Sequence, residues 1–236
     1  MCNEDERKLH NDILIMEGQE FQDNILRLNG QHVSLYVISI KGKTFTIFPE
    51  TFNPNYAPAS LLLANNLGVQ KGDVVLDPFT GCGIDALVSV LEGAEKAVAI
   101  DKCLMPYLCA SYNAHMLELD NLVDVRQGDL FEPLKDGELF SLVVSNPPFR
   151  KMAPETDLQA SNMDDNYRTL EKFWNGVSNY LTQDGRIRIV FSNCGDLNYF
   201  HTLAKQNNYI YQTIATTRFM TQGLIEVYEF VRRGSR

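Results

Sequence analysis

Short apolar segments alternate with helix-like amphipathic segments along most of this 236-residue chain. Apolar segments of this length suit strands buried on both faces, and such strands occur in parallel sheets that helices cover on both sides. The alternation therefore predicts an α/β fold with a doubly wound, mostly parallel sheet. The predicted helices are 60–67, 84–92, 105–118, 167–181 and 196–206, the last opened by Asp196 as N-cap, and the predicted strands are 73–77, 97–100, 123–127, 140–145 and 186–192.

The two ends of the chain depart from this alternation. Spaced apolar residues over 4–28 predict one or two short helices, and alternating patterns at 33–40 and 44–48 predict a hairpin. We expect a helix and hairpin extension over 1–50, capping the substrate side or extending the core, and a main domain over 51–236. At the other end, strands 209–216 and 224–232 follow each other without a helix, which predicts antiparallel pairing.

The tetrapeptide Asn146-Pro147-Pro148-Phe149 directly follows the predicted strand 140–145. Proline has no N–H and fixes its own φ, so this corner cannot continue a ladder and its carbonyls are free to point outward. The carboxamide of Asn146, a proline carbonyl and the flat ring of Phe149 suit a planar nitrogen that carries N–H groups. A rigid turn with no further role is the alternative interpretation.

A second motif lies between the predicted strand 73–77 and the helix after it. Gly81 and Gly83 occur at this turn, where glycines let a ligand approach the helix N-terminus. Asp101 ends the next strand, where a carboxylate can accept both hydroxyls of a ribose. With Ala86, the two glycines also satisfy the dinucleotide pattern G-x-G-x-x-A, so a nicotinamide or flavin enzyme remains an alternative.

Two observations favour a different cofactor. The predicted strand 123–127 leads into Asp129, whose carboxylate could accept the amino group of an adenine. The next strand carries the corner at Asn146, for which a hydride-transfer site has no evident need.

Together, Asp77, the Gly81 to Gly83 turn, Asp101, Asp129 and the Asn146 to Phe149 corner resemble the class I methyltransferases that use S-adenosylmethionine. The resemblance covers about residues 50 to 232 and is strongest to the small methyltransferase domain group, which includes release-factor glutamine methyltransferases and several guanine and adenine methyltransferases. It implies a Rossmann-like sheet of seven strands whose antiparallel C-terminal strand lies beside the fifth. It also implies nitrogen as the methylated atom.

The resemblance implies roles for residues at matching positions. S-adenosylmethionine would be held by Asp77, Phe79, Gly81, Gly83, Asp101, Lys102, Asp129, Leu130 and Asn146. The catalytic residues would be Asn146 and Pro147, which orient the acceptor nitrogen, and Phe149, which stacks on the acceptor. Substrate contacts are expected from Tyr56, Pro148, Phe149 and Arg150.

Two departures from the family leave the acceptor open. Pro78-Phe79 follows Asp77 where the family turn is usually richer in glycine, a variant that resembles many nucleic-acid methyltransferases. Ala59-Ser60 stands where glutamine methyltransferases have Thr-Glu. We therefore expect a planar nitrogen of a protein, peptide or small molecule as the acceptor, with a nucleic-acid base as the first alternative. A non-catalytic cofactor-binding subunit or a nicotinamide enzyme is the second.

Composition bears on the partners. The formal charge of −9 disfavours binding to the phosphate backbone of nucleic acids. Proteins that bind nucleic acid without a partner protein usually present a basic face. The sequence has no apolar run long enough to span a membrane and no signal-like N-terminus, so a cytoplasmic enzyme without a membrane partner is expected. The five cysteines form no C-x-x-C pair, so we expect neither disulfides nor a metal site. Monomer and homodimer are both open.

The segment from Arg150 to Asn166 is the longest without clear periodicity. Long loops inside a compact domain are often lids or binding loops, so this one is a candidate substrate gate, with simple disorder as the alternative. Phe52 and Tyr56 could face the same pocket. Trp174, on the helix that follows, is predicted to be a core residue.

Overall fold

The computed structural model describes residues 20–219 and 223–234. Its strands are β1 (Tyr36–Ile40), β2 (Lys43–Ile47), β3 (Val74–Asp77), β4 (Lys96–Asp101), β5 (Val123–Gln127), β6 (Phe140–Ser145), β7 (Leu181–Ser192), β8 (Tyr209–Phe219) and β9 (Gly223–Arg232). Its helices are α1 (residues 20–30), α2 (Pro58–Ala64), α3 (Ile84–Leu91), α4 (Leu104–Met116), α5 (Asp157–Ala160), α6 (Arg168–Val177) and α7 (Leu197–Gln206).

Within the described residues, seven strands form one sheet in the order β5-β4-β3-β6-β7-β9-β8. Strands β3 to β7 pair in parallel, whereas β9 lies between β7 and β8 and runs antiparallel to both. The prediction of a mostly parallel seven-stranded sheet with an antiparallel C-terminal strand is therefore confirmed. The last strand lies beside the fifth strand of this sheet, as expected.

The centre of the sheet is apolar on both faces. Val75 on β3 and Leu142 on β6 have no solvent exposure, because helices cover both sides of these strands. Trp174 on α6 is also fully buried, with its ring centroid 4.9 Å from that of Phe230 on β9, so the prediction that it belongs to the core is confirmed. The core therefore holds the parallel strands rigidly at the edge where they end.

The largest boundary difference lies between α6 and β7. The pattern predicts a helix to residue 181 and a strand from 186, but the helix ends at Val177 and β7 begins at Leu181. Leu181 already pairs with Phe140, and the next paired residue is Arg186 opposite Leu142. Residues 182–185 are therefore looped out as an irregularity within one strand, and the Asp184-Gly185 turn signal marks this irregularity instead of a strand end.

The N-terminal hairpin of β1 and β2 packs onto the same core. Phe45 and Ile47 on β2 are fully buried. Asn113 on α4 fixes the hairpin: its Oδ1 accepts the Thr46 N–H at 2.8 Å, and its Nδ2 donates to the Thr46 and Cys82 carbonyls, each at 2.9 Å. One buried carboxamide thus joins the hairpin to the turn after β3.

The described part of helix α1, residues 20–30, is fixed by two contacts. The ring of Phe21 lies 4.4 Å from the ring of Phe219 on β8, measured between centroids. Asn29 Oδ1 accepts the backbone N–H of Asn53 at 2.6 Å. The helix therefore spans from β8 to the loop that precedes α2, across the edge of the sheet where the parallel strands end.

Replacing Asn113 with Ala should lower the free energy of unfolding by roughly 1–3 kcal/mol, because the Thr46 N–H and the Cys82 carbonyl lose this partner and the Thr46 carbonyl keeps only the Cys109 thiol. Asn65→Ala is the matched control: this exposed Asn donates only to the Leu61 carbonyl, and its loss should cost no more than about 0.5 kcal/mol. Urea titration followed by circular dichroism gives both values. Equal effects of the two substitutions would contradict the role of Asn113.

Candidate active site

The carboxyl ends of β3, β4, β5 and β6 border one cavity of about 1180 Å³, including its open mouth. The other walls come from α1, the loop before α2 and the segment around α5. Clefts at the carboxyl ends of parallel strands are the usual ligand sites of open α/β sheets. The cavity therefore lies where the two sequence motifs meet.

The turn after β3 leaves room for a ligand at Gly81. Gly81 has φ +56°, and a Cβ there would meet no atom within 4 Å. Gly83 also has a positive φ, +88°, but a Cβ there would lie 2.9 Å from Leu87 Cδ1 and 3.2 Å from Ala110. Gly81 thus opens the turn toward the cavity, whereas Gly83 lets α3 and α4 approach each other and does not line the cavity.

Asp101, at the end of β4, is held by two backbone donors. Its Oδ2 accepts the Gly81 N–H and its Oδ1 accepts the Cys103 N–H, each at 3.0 Å. Burial raises the pKa of Asp101 to about 6. A carboxylate offers about four lone-pair sites. This fixed carboxylate can therefore still accept two hydroxyl groups of a ligand, and the exposed Lys102 lies beside it at the mouth.

Two further carboxyls lie deeper, beneath the turn. Asp77 is fully buried and its Oδ2 accepts the Thr80 hydroxyl at 2.7 Å, while its Oδ1 has no partner among the described residues. Asp85 on α3 lines the cavity, and its Oδ1 also has no partner there. Burial raises the pKa of both carboxyls, and the charge of Asp77 raises that of Asp85 further. Nothing in the sequence distinguishes Asp85 from an ordinary acidic residue in a first helical turn.

The turn after β5 places Asp129 and Leu130 on the cavity wall. Asp129 Oδ2 accepts a hydrogen bond from Lys172 Nζ at 2.7 Å. The carboxylate can therefore accept hydrogen bonds both from Lys172 and from a ligand in the cavity. Leu130 is buried and has φ +56°, a left-handed conformation that is strained for a branched side chain. The sequence indicated both positions but not the contact with Lys172.

The corner after β6 places Asn146, Pro148 and Phe149 against the cavity, whereas Pro147 is buried behind it. Asn146 Nδ2 donates to Ser60 Oγ on α2 at 3.0 Å. The ring of Phe149 stands nearly edge-on to that of Phe191, with centroids 5.8 Å apart. The corner therefore presents a carboxamide with a fixed nitrogen beside an aromatic ring whose orientation is also fixed.

The backbone of this corner is held from behind by Tyr167. The Tyr167 hydroxyl donates to the Phe149 carbonyl at 3.2 Å and accepts the Asp196 N–H at 2.7 Å. Burial raises the pKa of Tyr167 to about 12, so the hydroxyl keeps its proton and can donate. Gly195 lies so close that a Cβ there would be 2.2 Å from the Phe149 carbonyl oxygen. The corner is thus formed before any ligand binds.

Two predicted substrate contacts lie away from the cavity lining. Arg150 is buried, with Nη1 2.8 Å from Asp23 Oδ1 on α1 and its N–H donating to the Asn162 carbonyl. Tyr56 is half-buried, with its ring 6.5 Å from that of Tyr36. Neither lines the cavity, because each side chain is engaged by the N-terminal extension. Phe52, from the same loop as Tyr56, does line it.

The segment after the corner is ordered and forms part of the wall. It contains α5, and its Asn162 lines the cavity together with Gln22 of α1. Asn162 Nδ2 donates to Gln22 Oε1 at 2.5 Å, and both side chains are buried. From residue 20 onward, where the structure describes it, the N-terminal extension therefore has two parts, a hairpin that joins the core and a helix that borders the cavity. A gating role of this segment stays a prediction.

Among the residues the structure describes, no group of three or more His, Cys, Asp or Glu side chains is placed to hold a metal ion. In the same part of the chain, no helix combines the length and apolarity that crossing a membrane would need.

The fold, the cavity and a matching family model together define a class I S-adenosylmethionine-dependent methyltransferase. The strand order, the open turn at Gly81 and the fixed carboxylate of Asp101 fit this cofactor. Asp77, a predicted cofactor contact, lies behind the cavity lining. The chain belongs to the methyltransferase small domain family, whose sequence model matches residues 53–221.

Among curated proteins, the chain is 27% identical over 164 residues to a provisionally named protein N5-glutamine methyltransferase of Methanocaldococcus jannaschii. That match covers 66% of this chain and 79% of the relative. The two sequences thus correspond over most of the M. jannaschii protein.

Solved structures share the fold. The T. thermophilus 16S rRNA N2 methyltransferase in complex with AdoMet and guanosine has a TM-score of 0.62 and 23% identity, covering 84% of this chain and 50% of that chain. The ribosomal protein L11 methylase of Lactobacillus delbrueckii subsp. bulgaricus has a TM-score of 0.53 and 19% identity, covering 79% of this chain and 84% of that chain. The chain thus spans half the length of the rRNA enzyme. At these identities the likeness shows the fold and leaves the acceptor open.

The pKa of Asp101 predicts how cofactor binding depends on pH. If Asp101 binds the ribose as predicted, affinity for S-adenosylmethionine should fall as the pH drops through about 6, because protonation removes the charge that would accept the ribose hydroxyls. Asp101→Asn lacks this charge at every pH, so it should bind about tenfold more weakly near pH 8 and change less toward acid. Isothermal titration calorimetry between about pH 5 and 8 measures both.

The variant also controls for the other acidic groups near this site, Asp77, Asp85 and Asp157, which it retains. A pH profile of Asp101→Asn that matches the wild-type profile would assign the dependence to those groups and contradict the role of Asp101.

Proposed function

We propose that this chain transfers a methyl group to a planar, hydrogen-bearing nitrogen of a protein or peptide. One observation supports this most: Asn146 Nδ2 donates to Ser60 Oγ, so Oδ1 is the carboxamide atom left to accept a hydrogen bond. It lies beside Phe149 in the cavity that the turn at Gly81 also lines. A free amide oxygen next to an aromatic face suits the N–H edge and the π-face of an amide or guanidino group.

S-adenosylmethionine, when bound, supplies an electrophilic methyl group on a sulfonium. The acceptor nitrogen is a weak nucleophile because its lone pair is delocalised. Hydrogen bonds from its N–H groups to Asn146 Oδ1 would favour a more tetrahedral nitrogen and the positive charge that it develops. The predicted contact with the Pro147 carbonyl has no support in the cavity lining, which leaves Pro147 out. Phe149 would fix the plane of the acceptor, so that the lone pair is aligned for an in-line displacement. The nitrogen can lose its proton to solvent after transfer, so no residue need act as a general base.

The charges around the cavity favour a protein or peptide over nucleic acid. Lys102 is the one lysine or arginine among the lining residues of the described chain. Five lining residues carry carboxyl groups, namely Glu50, Asp85, Asp101, Asp129 and Asp157. Nucleic-acid binding rests on cations that meet phosphates, and this lining would repel them. The name of the M. jannaschii relative agrees with a protein acceptor and suggests a carboxamide as its reactive group.

Transfer of labelled methyl groups to cell lysate tests this proposal. The wild-type chain should label material that protease removes and ribonuclease leaves intact. Label that only ribonuclease or deoxyribonuclease removes would contradict the protein acceptor and support the nucleic-acid alternative. The absence of transfer to protein, nucleic acid and small metabolites alike would contradict the methyltransferase activity itself.

Asn146→Ala should lower this transfer by about 100-fold or more, because it removes the group that aligns the nitrogen. Cofactor affinity, measured by calorimetry, should change less than about threefold, since the turn at Gly81 and the carboxylate of Asp101 remain. Asn146→Asp keeps an acceptor oxygen at the same place and should retain more activity than Asn146→Ala. If Asn146→Ala lowered cofactor affinity as strongly as it lowers methyl transfer, Asn146 would belong to the cofactor site instead.

A further inference from the structure

We infer that Ser60 is a positioning residue for methyl transfer, which holds the carboxamide of Asn146 in the place and plane where its oxygen can meet the methyl acceptor. This inference rests on the proposed function, since it concerns the same corner. It names a group on another element of the fold, 86 residues away in the chain, on which the reactive geometry depends.

The position of Ser60 is fixed by its helix. It lies in the first turn of α2, which begins at Pro58, and its own N–H donates to the Ala57 carbonyl at 3.2 Å. Its side chain is 3% exposed, and its Oγ accepts Asn146 Nδ2 at 3.0 Å. Both residues line the cavity. The hydroxyl is therefore a rigid reference point for a side chain that itself stands at the end of β6.

An Asn carboxamide has nearly the same shape after a rotation of 180°, but its hydrogen bonding is reversed. In the observed orientation Nδ2 donates to Ser60, so Oδ1 is the atom that can accept a hydrogen bond from the molecule to be methylated. In the reversed orientation the hydroxyl would donate to Oδ1, and two N–H donors would face the N–H groups of the methyl acceptor. Only the observed orientation is therefore productive. Because a serine hydroxyl can accept or donate, Ser60 fixes the position and plane of the carboxamide, and the N–H groups of the methyl acceptor select this orientation.

A purely structural role would have a different signature. Asn146 is partly exposed to the cavity, so without Ser60 its Nδ2 can hydrogen-bond to water, and folding should change little. What is lost is the fixed direction of Oδ1. Small misplacements of this kind reduce rate more than binding, because they act on the alignment of the reacting atoms.

The test compares Ser60→Ala with Ser60→Thr, which keeps the hydroxyl, and with Ser111→Ala as control. Ser111 is also a helical serine, whose Oγ donates to the Tyr107 carbonyl of its own helix, away from the cavity. The probe is the lysate fraction that accepts labelled methyl groups from the wild-type chain, titrated to obtain a maximal rate and a half-saturating amount.

Ser60→Ala should reduce the maximal rate about 10- to 100-fold, with the half-saturating amount and the cofactor affinity within about twofold of wild type. Ser60→Thr should restore most of the rate, and Ser111→Ala should match the wild type. The side-chain amide signals of Asn146 in a ¹⁵N-labelled sample, identified by their loss in Asn146→Ala, should shift in Ser60→Ala without any acceptor present.

An unchanged rate in Ser60→Ala, or a loss matched by weaker cofactor binding or lower thermal stability, would overturn the inference. Unchanged amide signals of Asn146 would do so as well. If the wild-type chain labels no fraction at all, the proposed function fails and this inference fails with it, whereas a labelled fraction with a fully active Ser60→Ala refutes the role of Ser60 alone.

Discussion

The parallel pairing of β3 with its two neighbours sets the geometry of the whole site. Asp77 on β3 is level with Ala99 on β4, so Asp101 extends two residues further toward the mouth. Leu76 is level with Val143 on β6, which places Asn146 at the same height as Asp101. With a rise of about 3.3 Å per residue, both lie roughly 7 Å above Asp77. Register alone thus puts the buried carboxyl of Asp77 below the cavity, outside its lining, and the polar groups of Asp101 and Asn146 on its wall.

This layered arrangement explains the electrostatics. Burial raises the pKa of all three carboxyls: Asp77 below the cavity, Asp85 on its wall, and Asp101 nearer the mouth, whose pKa is about 6. Buried carboxyls that keep one oxygen without a partner favour a proton or a cation, because a charge in a dry site is costly. A ligand that carries a sulfonium and an ammonium group suits such a cavity. The same carboxyls make the lining unfavourable for phosphates.

Local sequence patterns predicted the strands and the corner at Asn146, whereas contacts between residues distant in the sequence could not be predicted. The parallel strands and the corner at Asn146 follow from short apolar runs and from proline, which act within a few residues. Ser60 and Tyr167 hold this corner from 86 and 18 residues away, and no local pattern marks either role. The substrate contacts expected of Tyr56 and Arg150 depended on where the N-terminal extension packs, which their own neighbours in sequence do not determine.

The identity of the methylated atom tests the account most directly. Protein labelled by the wild-type chain can be digested and the modified peptide fragmented in a mass spectrometer until the methyl group is placed on one side chain. The geometry at Asn146 and Phe149 predicts a methyl on a planar side-chain nitrogen, such as a carboxamide or a guanidino group. A methyl on carbon, oxygen or sulfur would contradict it, because those atoms offer no N–H group to the fixed carboxamide.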